Sequence, residues 1–165
     1  MKPAIKKPMR ALTVELFGDC EIVMTRDFNA PRHLVYQALT EPDLVKRWLF
    51  GPDGWSMDVC EIDLRVGGKY RYGWRHQNGK TMAMGGEFQE ISAPERLVAT
   101  EAFDESWYPG NAIDTTVLTE NAGRTRLTLT VEYESKEARD GVLKTGMADG
   151  MSLGYDRLEQ VLATI

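Results

Sequence analysis

The sequence predicts an α+β fold: a curved antiparallel sheet of about six to seven strands wrapped around a long C-terminal helix, with two short helices after the first strand. Three observations predict it. From Ser135 to Ile165, Leu143, Met147, Met151, Tyr155, Leu158, Leu162 and Ile165 recur at steps of three and four, which sets them on one face of a 3.6-residue helix. From Trp55 to Tyr133 the period changes to two, and turn residues punctuate the runs as in consecutive hairpins. Each run has one apolar face, so one side of the sheet must be covered. Only the C-terminal helix is long enough to do it.

Residues 1–9 read as a flexible tail carrying Lys2, Lys6 and Lys7, and residues 10–165 as a single domain. Ala11 to Leu16 and Glu21 to Phe28 are strand-like, with Gly18–Asp19 as turn chemistry between them, giving a hairpin or one bent strand. Asn29–Ala30–Pro31 opens a short helix with Leu34, Val35, Ala38 and Leu39 on one face, Pro31 suiting its first position. Thr40 with Asp43 three residues on resembles a capping box and starts a second short helix through Trp48. Ser56 to Arg65 is a strand, followed by a turn at Gly67–Gly68. Lys69 to His76 is the clearest strand: Tyr70, Tyr72, Trp74 and His76 face one way, Lys69, Arg71 and Arg75 the other. Asn78–Gly79 turns the chain into Thr81 to Ile91, where Gly85–Gly86 marks a bulge or a close approach. Arg96 to Phe103, Ala112 to Thr119 and Thr125 to Tyr133 complete the sheet, with an aromatic loop at Trp107–Tyr108. Ser135 then caps the last helix, and Glu137 suits its positive end.

The totals exclude several classes of protein. The chain has 165 residues, 42% of them hydrophobic, and a net charge of −5. A domain of that size buries roughly 70% of its unfolded surface. The acidic balance argues against nucleic-acid binding, which calls for a basic stripe. No apolar run is long enough for a signal or a membrane span. Cys20 and Cys60 form no CxxC and have no histidine at ligand spacing, so they read as small core residues of a reduced, cytoplasmic protein. No metal site and no cofactor is expected.

In the C-terminal helix a glycine stripe runs beside the apolar one: Gly146, Gly150 and Gly154, each four apart. Each glycine costs a helix interior about 1 kcal/mol relative to alanine. Two explanations stand: the backbone packs close against the sheet, or the missing side chains leave room for a guest.

These residues together bear a resemblance. The run from Arg26 to Arg32 leading into Val35–Ala38, the Thr40–Asp43 helix start with Trp48, Glu61–Gly68 before the aromatic strand, Pro94–Val98, and the Gly146/Met147, Gly150/Met151, Tyr155, Leu158 helix resemble the START-like, or SRPBCC, helix-grip superfamily. Within it the chain is similar to the family named for activators of the heat-shock-protein-90 ATPase, over roughly residues 22–163. The resemblance implies the helix-grip fold. It implies no one activity, since the superfamily spans lipid carriers, polyketide cyclases and plant ligand binders. The eukaryotic co-chaperones of the family name carry a further N-terminal chaperone-binding domain. About twenty residues precede the resemblance here, which weighs against a chaperone partner.

The strongest chemical feature is the set of aromatic and methionine side chains expected between sheet and helix: Trp48, Trp55, Tyr70, Tyr72, Trp74, Met82, Met84, Phe88, Phe103, Met147, Met151 and Tyr155, with Gly150 beside them. They make either a plain core or an apolar pocket in which tyrosine hydroxyls and indole N–H groups orient a small hydrophobic or aromatic ligand. Glu101 shares a face with Leu97, Ala99 and Phe103. It is either a buried carboxylate with a raised pKa, the candidate catalytic residue, or a mouth residue paired with an arginine. His33 reads as exposed and His76 as a residue of the pocket mouth. No hydrolase, kinase or dehydrogenase motif is present. The expected function is cytoplasmic binding of that ligand. A cyclase- or dehydratase-like enzyme in the same pocket and a co-chaperone-like module are the alternatives. An exposed strand edge would permit a homodimer, which the sequence does not decide.

Overall fold

The computed structural model describes residues 12–106 and 108–165; the expected tail, residues 1–9, and Trp107 of the aromatic loop lie outside the described residues. The order is β1 (Thr13–Phe17), β2 (Glu21–Phe28), α1 (Arg32–Thr40), α2 (Pro42–Val45), β3 (Trp55–Ile62), β4 (Lys69–His76), β5 (Thr81–Ser92), β6 (Arg96–Phe103), β7 (Ala112–Asn121), β8 (Arg124–Tyr133), α3 (Lys136–Leu143) and α4 (Met147–Leu162). The strands form one antiparallel sheet of eight, ordered β1-β2-β8-β7-β6-β5-β4-β3, which curves around the C-terminal helix in the helix-grip arrangement. The count exceeds the expected six to seven because the N-terminal stretch is a hairpin, turned at Gly18 with a positive φ of 54°. The two helices after it connect β2 at one side of the sheet to β3 at its far edge.

Alternation sets the inner face. On β2, Ile22, Met24, Arg26 and Phe28 are buried and the residues between them are half-buried. Register then carries the face across the sheet. Met24 lies opposite Leu129, Ile22 opposite Val131, and Glu101 on β6 opposite Ala112 on β7. Gly85 and Gly86 prove to be close approaches. A Cβ on Gly85 would come within 2.6 Å of Tyr70 O, and one on Gly86 would collide with Thr100 O. Tyr70 stands opposite Gly86, and its hydroxyl reaches past it to Thr100 O on β6 at 2.7 Å.

The structure corrects three local expectations. Thr40 does not cap α2; its hydroxyl donates back to Tyr36 O at 2.8 Å, the competing bond a threonine late in a helix makes. The strand expected over Ser56 to Arg65 ends early, at Ile62, and Leu64 beyond it is exposed. The C-terminal helix is two helices, not one. α3 starts as expected, with Ser135 Oγ accepting from Ala138 N at 3.0 Å and Glu137 in the first turn. It stops at Leu143, and Thr145 Oγ1 bonds to Val142 O. Gly146 then takes φ +77°, a left-handed conformation that glycine adopts without strain, and is the N-cap of α4. Ile165 lies beyond α4 and is exposed.

Two clusters fill the side of the interior nearest β2, α1 and α3. One joins Phe28, Val35, Ala38, Leu118, Leu127, Tyr155, Leu158, Val161 and Leu162; the other joins Ile22, Met24, Ala112, Val131, Tyr133, Ala138 and Val142. A third, Tyr70, Trp74, Met84, Phe88 and Ala99, belongs to β4, β5 and β6. Arg26 is buried among the first two, 2% exposed, and ties β2 to α4 through Asp156 at 2.7 Å.

Candidate ligand cavity

Between the third cluster and the first half of α4 lies a cavity of about 520 Å³. That volume falls within the range of small-molecule sites. The inner face of the sheet supplies most of the wall: Tyr70, Tyr72 and Trp74 from β4, Met82, Met84 and Phe88 from β5, Glu101 and Phe103 from β6, Asp114 from β7 and Tyr133 from β8. Met147, Gly150, Met151, Gly154 and Tyr155 of α4 face them, and Trp48 and Trp55 line it from the segment between α1 and β3. Every aromatic, methionine and glycine residue expected at a pocket therefore lines this cavity.

The two explanations of the glycine stripe can now be compared. Gly154 is buried, but an added Cβ would sit 3.7 Å from the Trp48 ring, an ordinary contact. An added Cβ on Gly150 would meet nothing within 4 Å. Close packing against the sheet therefore requires neither glycine. Gly146 is not in the stripe; it is the left-handed start of α4.

Three of the six expected polar handles are used inside the protein. Trp48 Nε1 donates to Ala38 O at 2.9 Å and Trp74 Nε1 to Leu49 O at 2.7 Å, so the first indole pins the α1–β3 connection to α1 and the second pins it to the sheet. Arg157 of α4 holds the same connection through Gly51 O and lies over the Phe50 ring at 3.8 Å. Tyr70 is bonded to Thr100 O. By contrast, Tyr108 is 5% exposed, packs edge-on against Tyr133 at 5.1 Å, and leaves its hydroxyl without a partner. His76 is not at the mouth. It packs edge-on against Trp55 at 5.1 Å, outside the cavity lining, and its Nδ1 accepts from Asn78 N. His33 is exposed, as expected.

Glu101 faces the cavity and has no arginine partner among the described residues. It shares a hydrogen bond with Asp114, its diagonal neighbour on β7, two residues along from Ala112. Burial pushes the Glu101 carboxyl up to about 7, and the Asp114 bond pulls against that shift. Burial, the nearby Glu101 charge and that same bond hold Asp114 well above the usual carboxylate range. The two carboxyls thus share a proton, and the titration belongs to the pair rather than to either residue. Apart from that shared proton, Asp114 Oδ1 meets no donor among the described residues. Five tyrosines surround the pair. Burial chiefly raises the pKa of Tyr70, Tyr72, Tyr108, Tyr133 and Tyr155, and the Asp114 charge adds to it in each. A carboxyl pair near neutrality can hold or release a proton at physiological pH.

Reading the sequence missed Asp114. The available signal was its parity with Ala112 and Leu118, blurred by Ile113 and Val117 on the opposite face. Among the described residues, no group of three or more His, Cys, Asp or Glu could hold a metal ion.

Comparison with known proteins places this geometry. The chain is 31% identical to a protein from Rhodobacter sphaeroides whose crystal structure matches with a TM-score of 0.89 over 94% of this chain and 99% of that one. A protein from Nitrosomonas europaea matches at 25% identity and a TM-score of 0.78, over 90% and 97% of the two chains. An AHSA1-like protein from Aeromonas hydrophila shares the fold at 18% identity and a TM-score of 0.67, over 84% and 92%. Curated proteins give no match. The family model described as Activator of Hsp90 ATPase homolog 1-like protein matches residues 29–163, and the chain belongs to that family, within the START-like superfamily.

Proposed function

We propose that this protein, acting as a single helix-grip domain in the cytoplasm, binds a small hydrophobic or aromatic molecule in the cavity between the sheet and α4. One observation carries the reading: an aromatic and methionine wall faces a helix whose Gly150 has open space where a side chain would be. Aromatic walls bury large apolar area, and methionine adapts to irregular guests. Native mass spectrometry of freshly purified protein, before and after denaturation, tests it. A discrete extra mass that leaves on unfolding is expected. An unliganded mass, together with no saturable binding of N-phenyl-1-naphthylamine, would overturn the reading.

The Glu101–Asp114 pair favours a second reading, a cyclase- or dehydratase-like enzyme that moves a proton on the bound molecule. Glu101→Gln tests it, since unchanged turnover of a bound substrate would remove the pair from any such chemistry. The family name supports a co-chaperone reading, which stimulation of a chaperone ATPase at micromolar protein would bear out and its absence would sink. The edge strand β1, with Val14, Leu16 and Phe17 exposed, is the place for a homodimer.

A further inference from the structure

Resting on the ligand-binding reading, we infer that the preferred ligand carries a basic nitrogen: an organic amine whose ammonium group sits at the Glu101–Asp114 pair and whose apolar body fills the aromatic cavity. The two carboxyls hold one proton between them and, among the described residues, no lysine or arginine forms a salt bridge with either. The unmet capacity at this end of the cavity is therefore acceptor capacity. Asp114 Oδ1 has no donor beyond the shared proton. The Tyr108 hydroxyl, buried without a partner and close enough for both carboxylates to raise its pKa, can accept as well as donate.

A carbonyl ligand would bring another acceptor and leave Asp114 Oδ1 unmet. A carboxylate ligand would add a third acid to two that already compete for one proton. An ammonium supplies several N–H donors and the missing positive charge, and its arrival lets the pair ionise. The surrounding rings suit it too: Tyr70, Tyr72, Trp74 and Phe88 form a contiguous set with neighbouring centroids 5.1 to 6.1 Å apart, and aromatic faces attract a desolvated cation. The cavity's own cation, Arg157, is turned to Gly51 O and the Phe50 ring.

The test is a matched series: biphenyl-4-ylmethylamine, biphenyl-4-ylmethanol and biphenyl-4-carboxylate, titrated at pH 7.5 by calorimetry against the full chain and its Asp114→Asn and Glu101→Gln variants. The amine is expected to bind at least tenfold more tightly than the alcohol, and the carboxylate most weakly. In either variant the amine-to-alcohol ratio should fall toward one, while circular dichroism and the melting transition confirm a folded protein. Equal affinity for amine and alcohol would overturn the amine inference and leave the cavity reading standing. The same holds for a preference for the amine that survives both variants. Binding of none of the three, with no saturable N-phenyl-1-naphthylamine binding, would overturn both.

Discussion

One helix divides the interior into two unlike halves. The second half of α4 lays Leu158, Val161 and Leu162 against Phe28, Val35 and Leu127, and these side chains are 5% exposed or less. The first half lays Met147, Gly150 and Met151 opposite Tyr72, Met82 and Phe103, and those side chains keep part of their surface toward a cavity. The sheet face is mainly apolar in both places, although the open half also carries Glu101 and Asp114. The difference lies in what the helix presents: branched side chains at one end, glycine and unbranched methionine at the other. A close-packed core and an open site can therefore share one sheet and one helix. The boundary falls at Gly154–Tyr155, where Tyr155 stacks on Trp48 at 6.0 Å and stands edge-on to Phe28 at 5.7 Å.

The largest expected contrast is between truncations in the two halves. Leu158→Ala should cost about 2–5 kcal/mol in urea denaturation, because the site is fully enclosed and the lost methyl groups leave a hole. Met151→Ala should cost about 1 kcal/mol, since one side of it already has no packing partner. Equal losses would erase the distinction between core and cavity.

The open half should also weaken its protein as pH rises. Glu101 and Asp114 have raised folded-state pKa values, so the folded chain holds more protons than the unfolded one. The Glu101 contribution is fully present below about pH 4 and is lost as pH rises through about 7, and Asp114 acts in the same direction. The loss is on the order of 2–3 kcal/mol. Tyr70, Tyr72, Tyr108, Tyr133 and Tyr155, whose pKa values burial and the Asp114 charge raise, stay neutral throughout this window. Denaturation curves between pH 4 and 8 should slope downward for the native chain and flatten for Glu101→Gln. An identical slope in both would mean that the pair does not hold its proton.

Smaller effects separate the glycines. Gly150→Ala should gain up to about 1 kcal/mol, since alanine is the better helix former and its Cβ meets nothing. Gly146→Ala should lose about 1 kcal/mol, because the left-handed φ penalises a Cβ. Thermal melts of the two variants should move in opposite directions.

Much of this comparison was legible in the sequence, and the rest was hidden for physical reasons. Period-two alternation marked the inward faces of β4 and β5, so the aromatic wall was visible before any strand was paired. Glu101 stood out because it interrupts the apolar parity of Leu97, Ala99 and Phe103. Asp114 did not, because pairing it with Glu101 depends on the register of β6 on β7. That register is fixed only after residues 104–111 have turned, and periodicity within one strand carries no information about its neighbour. The break at Gly146 was obscured by the steps of three and four, which continue unbroken through a residue whose φ, not its spacing, ends the helix.

The central claim is that the open half is a binding site rather than a loosely filled core. Titration of N-phenyl-1-naphthylamine into the native chain and Gly150→Leu, side by side, tests it most directly. The leucine grows from a position on α4 that lines the cavity and where an added Cβ meets nothing within 4 Å. The account predicts one-to-one saturable binding to the native chain, and at least tenfold weaker binding to a variant that melts no lower. Equal affinity in the two proteins, or no saturable binding to the native chain, would contradict it.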